Sequence, residues 1–536
     1  MYICMCLFFK TSIPQFVSWY TQATMLQKTA LDILKTGASV FLTGEPGSGK
    51  SYTIKQYIDY LAEHGVYASV TASTGIAATH IGGMTIHSWS GIGIRESLSV
   101  YDLEALHEKD YIVKRLLKAK VLIIDEVSML SAKTFDMVNA VCKSVRQVPD
   151  KAFGGLQVIL VGDFFQLPPI VKKTDTLELF EDSGFVFSSS AWKELKPLTC
   201  YLTEQHRQSD QAFAKTLGQI RANKVDEETH TTIRRRVVRE LTELPDATKL
   251  YSHNAHVDTV NNREIGKLKG HVKIYEMRKN GKENLTASLT KSCLSPEKLE
   301  LKVGAKVMFT KNNPDKGFVN GTTGVITEFK YDIPRVQVAN GMIIDVEPMD
   351  WSVQDQGKIL ATISQIPLRL AWAITIHKSQ GMSLDAAIMD LSQVFEYGQG
   401  YVALSRVRTL EGLHVIGYND RALQVHPRVQ EEDVLFKEQS TEVGTQILKM
   451  DKAELEKIQY AYIKNIAPAV KEEKGEGISK QKESWGGWKR STKNGGGFKP
   501  GTKAKNTWKV SKKKKKEVEL DDFYKVEYEG DEEVQY

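Results

Sequence analysis

Short apolar runs alternate with stretches in which apolar residues return every three or four positions. VFLT (40–43), YASVTA (67–72), VLIID (121–125) and VILVGD (158–163) have the length of buried strands. Residues 26–36, 51–64 and 131–146 carry the spacing of amphipathic helices, the first stopped by Gly37. This βα alternation predicts a parallel sheet with helices on both faces. A polar, helix-prone insert interrupts it at 88–118, and a second αβ region is expected over 198–284 and 359–427. Between those two segments the texture changes. LKVGAKVMFTKN, GTTGVITEFK, RVQVAN and GMIIDVEP are short alternating runs separated by Gly, Asn and Pro, which predicts a small β-barrel inserted at 285–358. Helical text then runs over 428–466.

Composition adds little to this outline, but charge distribution changes it. At 536 residues, with 41% hydrophobic and 26% charged positions, the chain has the make-up of a soluble protein of roughly three or four domains. Residues 467–516 carry 16 Lys and Arg against 4 acidic residues, whereas 517–536 carry 1 Lys against 9 acidic residues. The overall charge is +6, of which this tail supplies +4, so residues 1–466 are nearly neutral and any nucleic-acid groove there must be a local patch. The tail is Lys-, Gly- and Ser-rich and is expected to be disordered, basic then acidic, and able to bind nucleic acid or a protein partner. Five cysteines (Cys4, Cys6, Cys142, Cys200, Cys293) form neither a C-x-x-C pair nor a Cys/His cluster, which argues against a zinc site and fits a reducing compartment. The apolar start MYICMCLFFK is too short to span a bilayer; residues 1–24 are expected to be a poorly ordered leader, with Met25 as an alternative start. No membrane contact is expected. Lys512–Lys516 reads as a nuclear signal or a nucleic-acid-binding tail, and a bacterial cytoplasm, associated with the nucleoid, is preferred over a nucleus.

Candidate chemistry sits at the strand ends. Between VFLT and the next helix, Gly44 to Ser51 fits G-x-x-x-x-G-K-[ST]. Gly44, Gly47 and Gly49 let backbone N–H groups around Ser48 cradle phosphates, Lys50 reaches the outer phosphates, and Ser51 can ligate magnesium. At the end of VLIID, Asp125 can hold magnesium through water and Glu126 can deprotonate an attacking water. At the third strand end, GDFFQLPP offers Gln166 to the γ-phosphate. Arg207 in LTEQHRQS and Arg406 in GYVALSRVRTL could supply positive charge from a second domain during phosphoryl transfer. AWAITIHKSQGMSLD mixes Thr375, His377, Lys378, Ser379 and Gln380 around Gly381, and its hydroxyls, imidazole and Lys suit a sugar-phosphate backbone, with Gly381 itself assigned to the nucleotide. Ser73, Thr74 and His87 offer the same chemistry in the first domain. Trp89 and Phe165 are open to two readings, stacking on bases or packing in the core. An Asn-Lys-x-Asp guanine reader is absent, TKNNPDKG being the nearest approach, which counts against a GTPase.

In order along the chain, TGEPGSGKS, ASTGIAA, TIHSWSG, DEVSM, GDFFQLPP, HRQ, TIHKSQGMSLD and VALSRVR resemble the motifs of superfamily 1B DNA helicases. The resemblance is closest to the petite integration frequency (Pif) family, with RecD and phage Dda helicases as cousins, and spans roughly 25–425. The stretch 128–146 also resembles that family's signature. The resemblance implies two RecA-like motor domains, 25–197 and the split second region, with ATP between them. It implies a wedge at 88–118, an SH3-like insert, and Gln27 as the adenine reader, although Leu26 replaces the acidic residue usual before it. It implies a monomeric ATP- and magnesium-dependent helicase moving 5′→3′ on single-stranded DNA and acting at duplex junctions in genome maintenance. An ATP-gated single-strand binding protein without unwinding is the alternative.

Overall fold

In the computed structural model, described over residues 25–93, 95–169, 184–204, 210–238, 247–355 and 358–468, the first region is a six-stranded parallel sheet. Its strands are β1 (Val40–Gly44), β2 (Ser69–Ala72), β3 (Met84–Thr85), β4 (Val121–Asp125), β5 (Gln157–Val161) and β6 (Leu198–Leu202), in the order β3-β2-β4-β5-β1-β6. The apolar runs are continuous because both faces are covered. Val40, Leu42, Val121 and Ile123 pack with Ile33, Ile54 and Tyr57 from the helices Gln27–Lys35 and Lys50–Glu63. The alternate residues Phe41, Leu122 and Ile124 belong to a second core with Phe135, Val138 and Val141 from the helix Ala132–Arg146. Adjacency of β4, β5 and β1 brings three strand ends side by side on one edge, where open parallel sheets bind ligands.

Leu198 was expected to open the second αβ region. Instead β6 pairs in parallel with β1, Val40 opposite Leu198, and completes the first sheet. The second sheet holds Ala373–Thr375, Thr248–Tyr251, Ala387–Leu391 and Leu413–Tyr418 in that spatial order, all parallel. Between its strands, Lys306–Phe309, Thr323–Lys330, Ile333–Val338, Ile343–Asp345 and Leu368–Leu370 form an antiparallel sheet around Val307, Phe309, Ile326 and Val336. Its last strand lies beyond the expected boundary at 358. Met349–Asp355 and Lys358–Gln365 stand outside that sheet and pair with each other, and Lys358–Gln365 pairs on its other side with Arg278–Gly281, all antiparallel. At 88–118 the helices Val100–His107 and Asp110–Lys118 bury Leu106, Ile112 and Leu116. Ser99 and Asp102 close a capping box at the start of the first.

The helices Pro427–Lys449 and Lys452–Ile466 are walls of the first region. Phe436 sits among Phe41, Phe164, Phe187 and Trp192, with ring centroids 5.0–6.1 Å away. Ser440 Oγ accepts the Tyr201 N–H at 2.9 Å. Tyr462 and Tyr57 both donate to Gln157 Oε1, at 2.9 and 2.8 Å. The leader 1–24, Arg207 and the tail beyond Pro468 lie outside the described residues. Among those described, no helix is long and apolar enough to cross a membrane.

Candidate active site

β1 ends in a loop whose Gly44, Gly47 and Gly49 take φ of 142°, 95° and 88°, a region that side chains disfavour. A Cβ at Gly49 would fall 2.2 Å from Gln27 Nε2, so Gln27 lies directly against the loop. Its amide donates to Ser48 O at 3.3 Å, and its own N–H is held by Glu204 at 2.8 Å. The helix after the loop begins at Lys50, leaving first-turn N–H groups directed at the loop. Lys50 Nζ donates to Gly44 O (2.8 Å) and Glu45 O (3.0 Å), so the loop's own carbonyls hold the ammonium. Ser48 Oγ is buried with no hydrogen-bond partner among the described residues, while Ser51 is exposed. An orphaned hydroxyl inside a cradle of N–H groups fits a polyphosphate.

β4 delivers the acidic pair. Asp125 accepts the Glu126 N–H at 2.9 Å, and Glu126 takes φ 50°, a left-handed conformation that costs a non-glycine residue about 1–2 kcal/mol. Ser73, at the end of β2, holds that turn: its N–H donates to Asp125 O at 3.1 Å and its hydroxyl to Glu126 O at 2.6 Å. Burial raises the Asp125 carboxyl, opposed by the Glu126 N–H and by Lys50. Burial, and then the charge of Asp125, pushes Glu126 up to about 7, opposed by Lys50 and Arg406.

β5 leads to Asp163, which is fully buried. It takes Arg221 Nη1 on both oxygens (2.8 and 2.9 Å), Gln166 Nε2 (3.3 Å) and the Phe165 N–H (3.2 Å). Arg221, at the end of the helix Gln211–Arg221, also donates to Tyr201 OH at 2.9 Å and Tyr401 OH at 3.3 Å. Its guanidinium lies 4.0 Å over the Phe165 ring. Gly398 caps the helix Gln399–Leu404 so tightly against this loop that a Cβ there would fall 2.5 Å from Phe165 O and 2.7 Å from Gln166 O.

From the second region come Arg406 and Gln380. Arg406, 1% exposed, donates to Val402 O and Ser405 Oγ, both at 2.7 Å, and lies within 3.5 Å of the Ser379 and Met382 carbonyls. Gln380 Nε2 donates to Glu126 Oε2 at 3.0 Å. Gly381, φ 76°, follows it at the surface.

Several side chains expected at nucleic acid are differently employed. Trp89 is 1% exposed: with Ile86 three positions earlier on a short helix it turns into the core, so it is a packing residue. Phe165 is buried beneath Arg221 and offers no free face. The hydroxyls of Ser73 and Ser379 donate to backbone carbonyls, Ser379 to Ile376 O at 2.7 Å. Thr375 and Thr74 accept backbone N–H groups at 3.3 Å. Thr74, Thr375 and Ser379 stabilise their own turns, the usual use of short hydroxyls at strand ends, while Ser73 holds the turn of Glu126 on the neighbouring strand. His87, His377 and Lys378 stay partly exposed, and burial lowers the pKa of each.

Arg221, Asp163 and Gly398 escaped assignment from the sequence, and Gln380 was expected in the backbone-binding segment, not at Glu126. A signal existed for Arg221. Phe213, Leu217 and Ile220 mark the buried face of its helix, and position 221 falls on that face, where a charge needs a partner.

The family model described as "PIF1-like helicase" matches residues 21–231, and "DNA helicase Pif1, 2B domain" matches 284–329. The chain is 42% identical over 478 residues to the ATP-dependent DNA helicase Pif1 of Psychrobacter sp. (strain PRwf-1), covering 78% of this chain and 72% of that protein. The structure of Bacteroides sp Pif1 in complex with ADP-AlF4 is similar with a TM-score of 0.68 at 32% identity, over 77% of this chain and 97% of that one. The structure of Pif1 helicase from Bacteroides in complex with ADP-AlF3 and ssDNA is similar with a TM-score of 0.55 at 32% identity, over 77% and 97%.

Proposed function

The chain belongs to the PIF1-like helicase family and is an ATP-dependent DNA helicase, and we propose that it moves 5′→3′ along a single strand as a monomeric motor and opens duplex junctions in genome maintenance. The observation that carries the mechanism is the meeting at Glu126. The carboxylate at the end of β4 is touched by Gln380 and influenced by Arg406, both from the second sheet's region. A nucleotide in the glycine loop therefore lies between two bodies, and its hydrolysis can change how they approach.

In this reading Lys50 exchanges the carbonyls of Gly44 and Glu45 for the β- and γ-phosphates. Glu126 takes a proton from water as the water oxygen bonds the γ-phosphorus and the bond to the bridging oxygen breaks. Arg406, already buried in the second region, stabilises the developing charge. Gln166 lies on the loop held by Asp163 and is the sensor of the γ-phosphate. Gln27 reads the base. Ser51 and Asp125 are hard oxygen donors that fit magnesium, which supplies charge neutralisation to the phosphates when bound. The Bacteroides Pif1 structure holds ssDNA, and in this reading a single strand on this chain runs past His87, His377 and Lys378, which are partly exposed. The antiparallel insert is the SH3-like domain and 88–118 the wedge.

Glu126→Gln tests this reading. ATP affinity should stay near the parent's, while DNA-stimulated turnover falls by about a hundredfold or more, the scale of a general base. Turnover at the parent rate would remove Glu126 from the role.

A further inference from the structure

We propose that Gln380 is a positioning residue that restrains Glu126 until a strand engages the turn that carries it. The proposal rests on Glu126 being the base.

Gln380 is the residue that closes the 3-10 turn His377–Ser379, and His377 and Lys378 in that turn are partly exposed and cationic or polar. Three and two residues further on, the Gln380 side chain points the other way, to the first region. Its Nε2 donates to Glu126 Oε2 at 3.0 Å across 254 residues of chain, and both residues are largely withdrawn from solvent. A hydrogen bond from an amide to a buried carboxylate is stronger than one between neutral groups and holds the acceptor's direction. An oxygen of Glu126 engaged in this way is not aimed at a water, and the residue is already in a strained backbone turn that leaves it little other freedom.

The turn is itself a stiff unit. Ser379 Oγ donates to Ile376 O at 2.7 Å, Ile376 N–H to Tyr251 O at 2.9 Å, and Lys378 N–H to Thr375 Oγ1 at 3.3 Å. Arg406 lies beside the Ser379 and Met382 carbonyls on either side of Gln380. A strand drawing on His377 or Lys378 therefore displaces the whole turn, with Gln380 leaving Glu126 and the carbonyls beside Arg406 shifting together. The short path from strand to base makes DNA stimulation of hydrolysis a local event rather than one relayed through the core.

The test compares the full chain with Gln380→Met, which keeps length and shape without the donor, and Gln380→Ala. ATP turnover is measured with no DNA and with saturating oligo-dT, oligo-dT affinity is followed by anisotropy, and melting temperature monitors folding. Loss of a bond to a charged acceptor releases about tenfold or more in the restrained state. The DNA-free rate should rise by that factor in both variants while the saturated rate changes by less than about threefold, so the stimulation ratio collapses. Parallel falls in the two rates, at any melting temperature, or an unchanged ratio, would overturn the restraint. Glu126→Gln run alongside separates the two failures. If it still turns over, the base assignment is wrong; if it is inactive and Gln380→Met keeps the parent's ratio, only the restraint is wrong.

Discussion

Replacing Arg221 by Met removes the guanidinium that occupies both oxygens of Asp163 and leaves that carboxylate buried, with the Gln166 amide at 3.3 Å and the Phe165 N–H at 3.2 Å. Truncating one partner of a buried ion pair costs about 3–5 kcal/mol. The Tyr201 and Tyr401 hydroxyls also lose a donor, and the Phe165 ring loses its cation at 4.0 Å. These losses share one group and are not added. About 3–5 kcal/mol is a large part of the 5–15 kcal/mol typical of a folded protein, so the first unfolding transition in urea should move well below the parent's. Asp163→Leu alone should be similarly costly. The pair Arg221→Met with Asp163→Leu should recover most of the stability, because the uncompensated charge is gone, so the double-mutant cycle should show a coupling energy of about 4 kcal/mol or more. Turnover should not recover. The loop carrying Gln166 and the helix carrying Tyr401 are joined through Arg221, and an apolar pair keeps the volume but not that bond. Additive losses, with coupling below about 0.5 kcal/mol, or a double variant that is both stable and fully active, would refute the reasoning.

Arg406→Ala should spare single-strand binding and lower hydrolysis by about a thousandfold or more, the scale of an arginine finger; His377→Ala should instead lower DNA stimulation, and turnover with and without oligo-dT distinguishes them. Gly398→Ala places a Cβ 2.5 Å from Phe165 O at φ 75°, so it should slow turnover by about tenfold while oligo-dT affinity, measured by anisotropy, stays near the parent's. Ending the chain at Ile466 should keep turnover at saturating DNA but flatten the dependence of log K on log salt by about 0.7 for each phosphate that the Lys-rich tail would otherwise neutralise; an unchanged slope would show that the tail does not touch DNA.

Motifs and strands were legible where a local rule is strict. The glycine loop needs positive φ, and Gly44, Gly47 and Gly49 have it. The runs VLIID and VFLT are apolar at nearly every position because both faces of their sheet are covered, a property readable from a few residues. Which sheet a run joins is not local. LTCYL at 198–202 carries nothing that distinguishes the free edge of β1 from the start of a second sheet, and pairing decided it. The polar residues divided in the same way. Ser73, Thr74, Thr375 and Ser379 were legible as residues at strand ends, but a hydroxyl can serve a ligand or the backbone, and here backbone groups took it, for Ser73 the Glu126 carbonyl on the neighbouring strand. Trp89 was decided by a neighbour, Ile86, three positions back on the same face. The union of Asp163 with Arg221 spans 58 residues and two bodies, and only the misplaced charge on an apolar face hinted at it.

Strand displacement tests the central claim most directly. A fluorescent duplex with a 5′ single-stranded tail and its counterpart with a 3′ tail are offered to the parent chain and to Lys50→Ala, each with and without ATP and magnesium. The 5′-tailed duplex should be opened by the parent chain only with ATP, the 3′-tailed duplex should stay closed, and Lys50→Ala should open neither. Displacement that persists without ATP or with Lys50→Ala, or that requires a 3′ tail, would contradict an ATP-driven 5′→3′ motor.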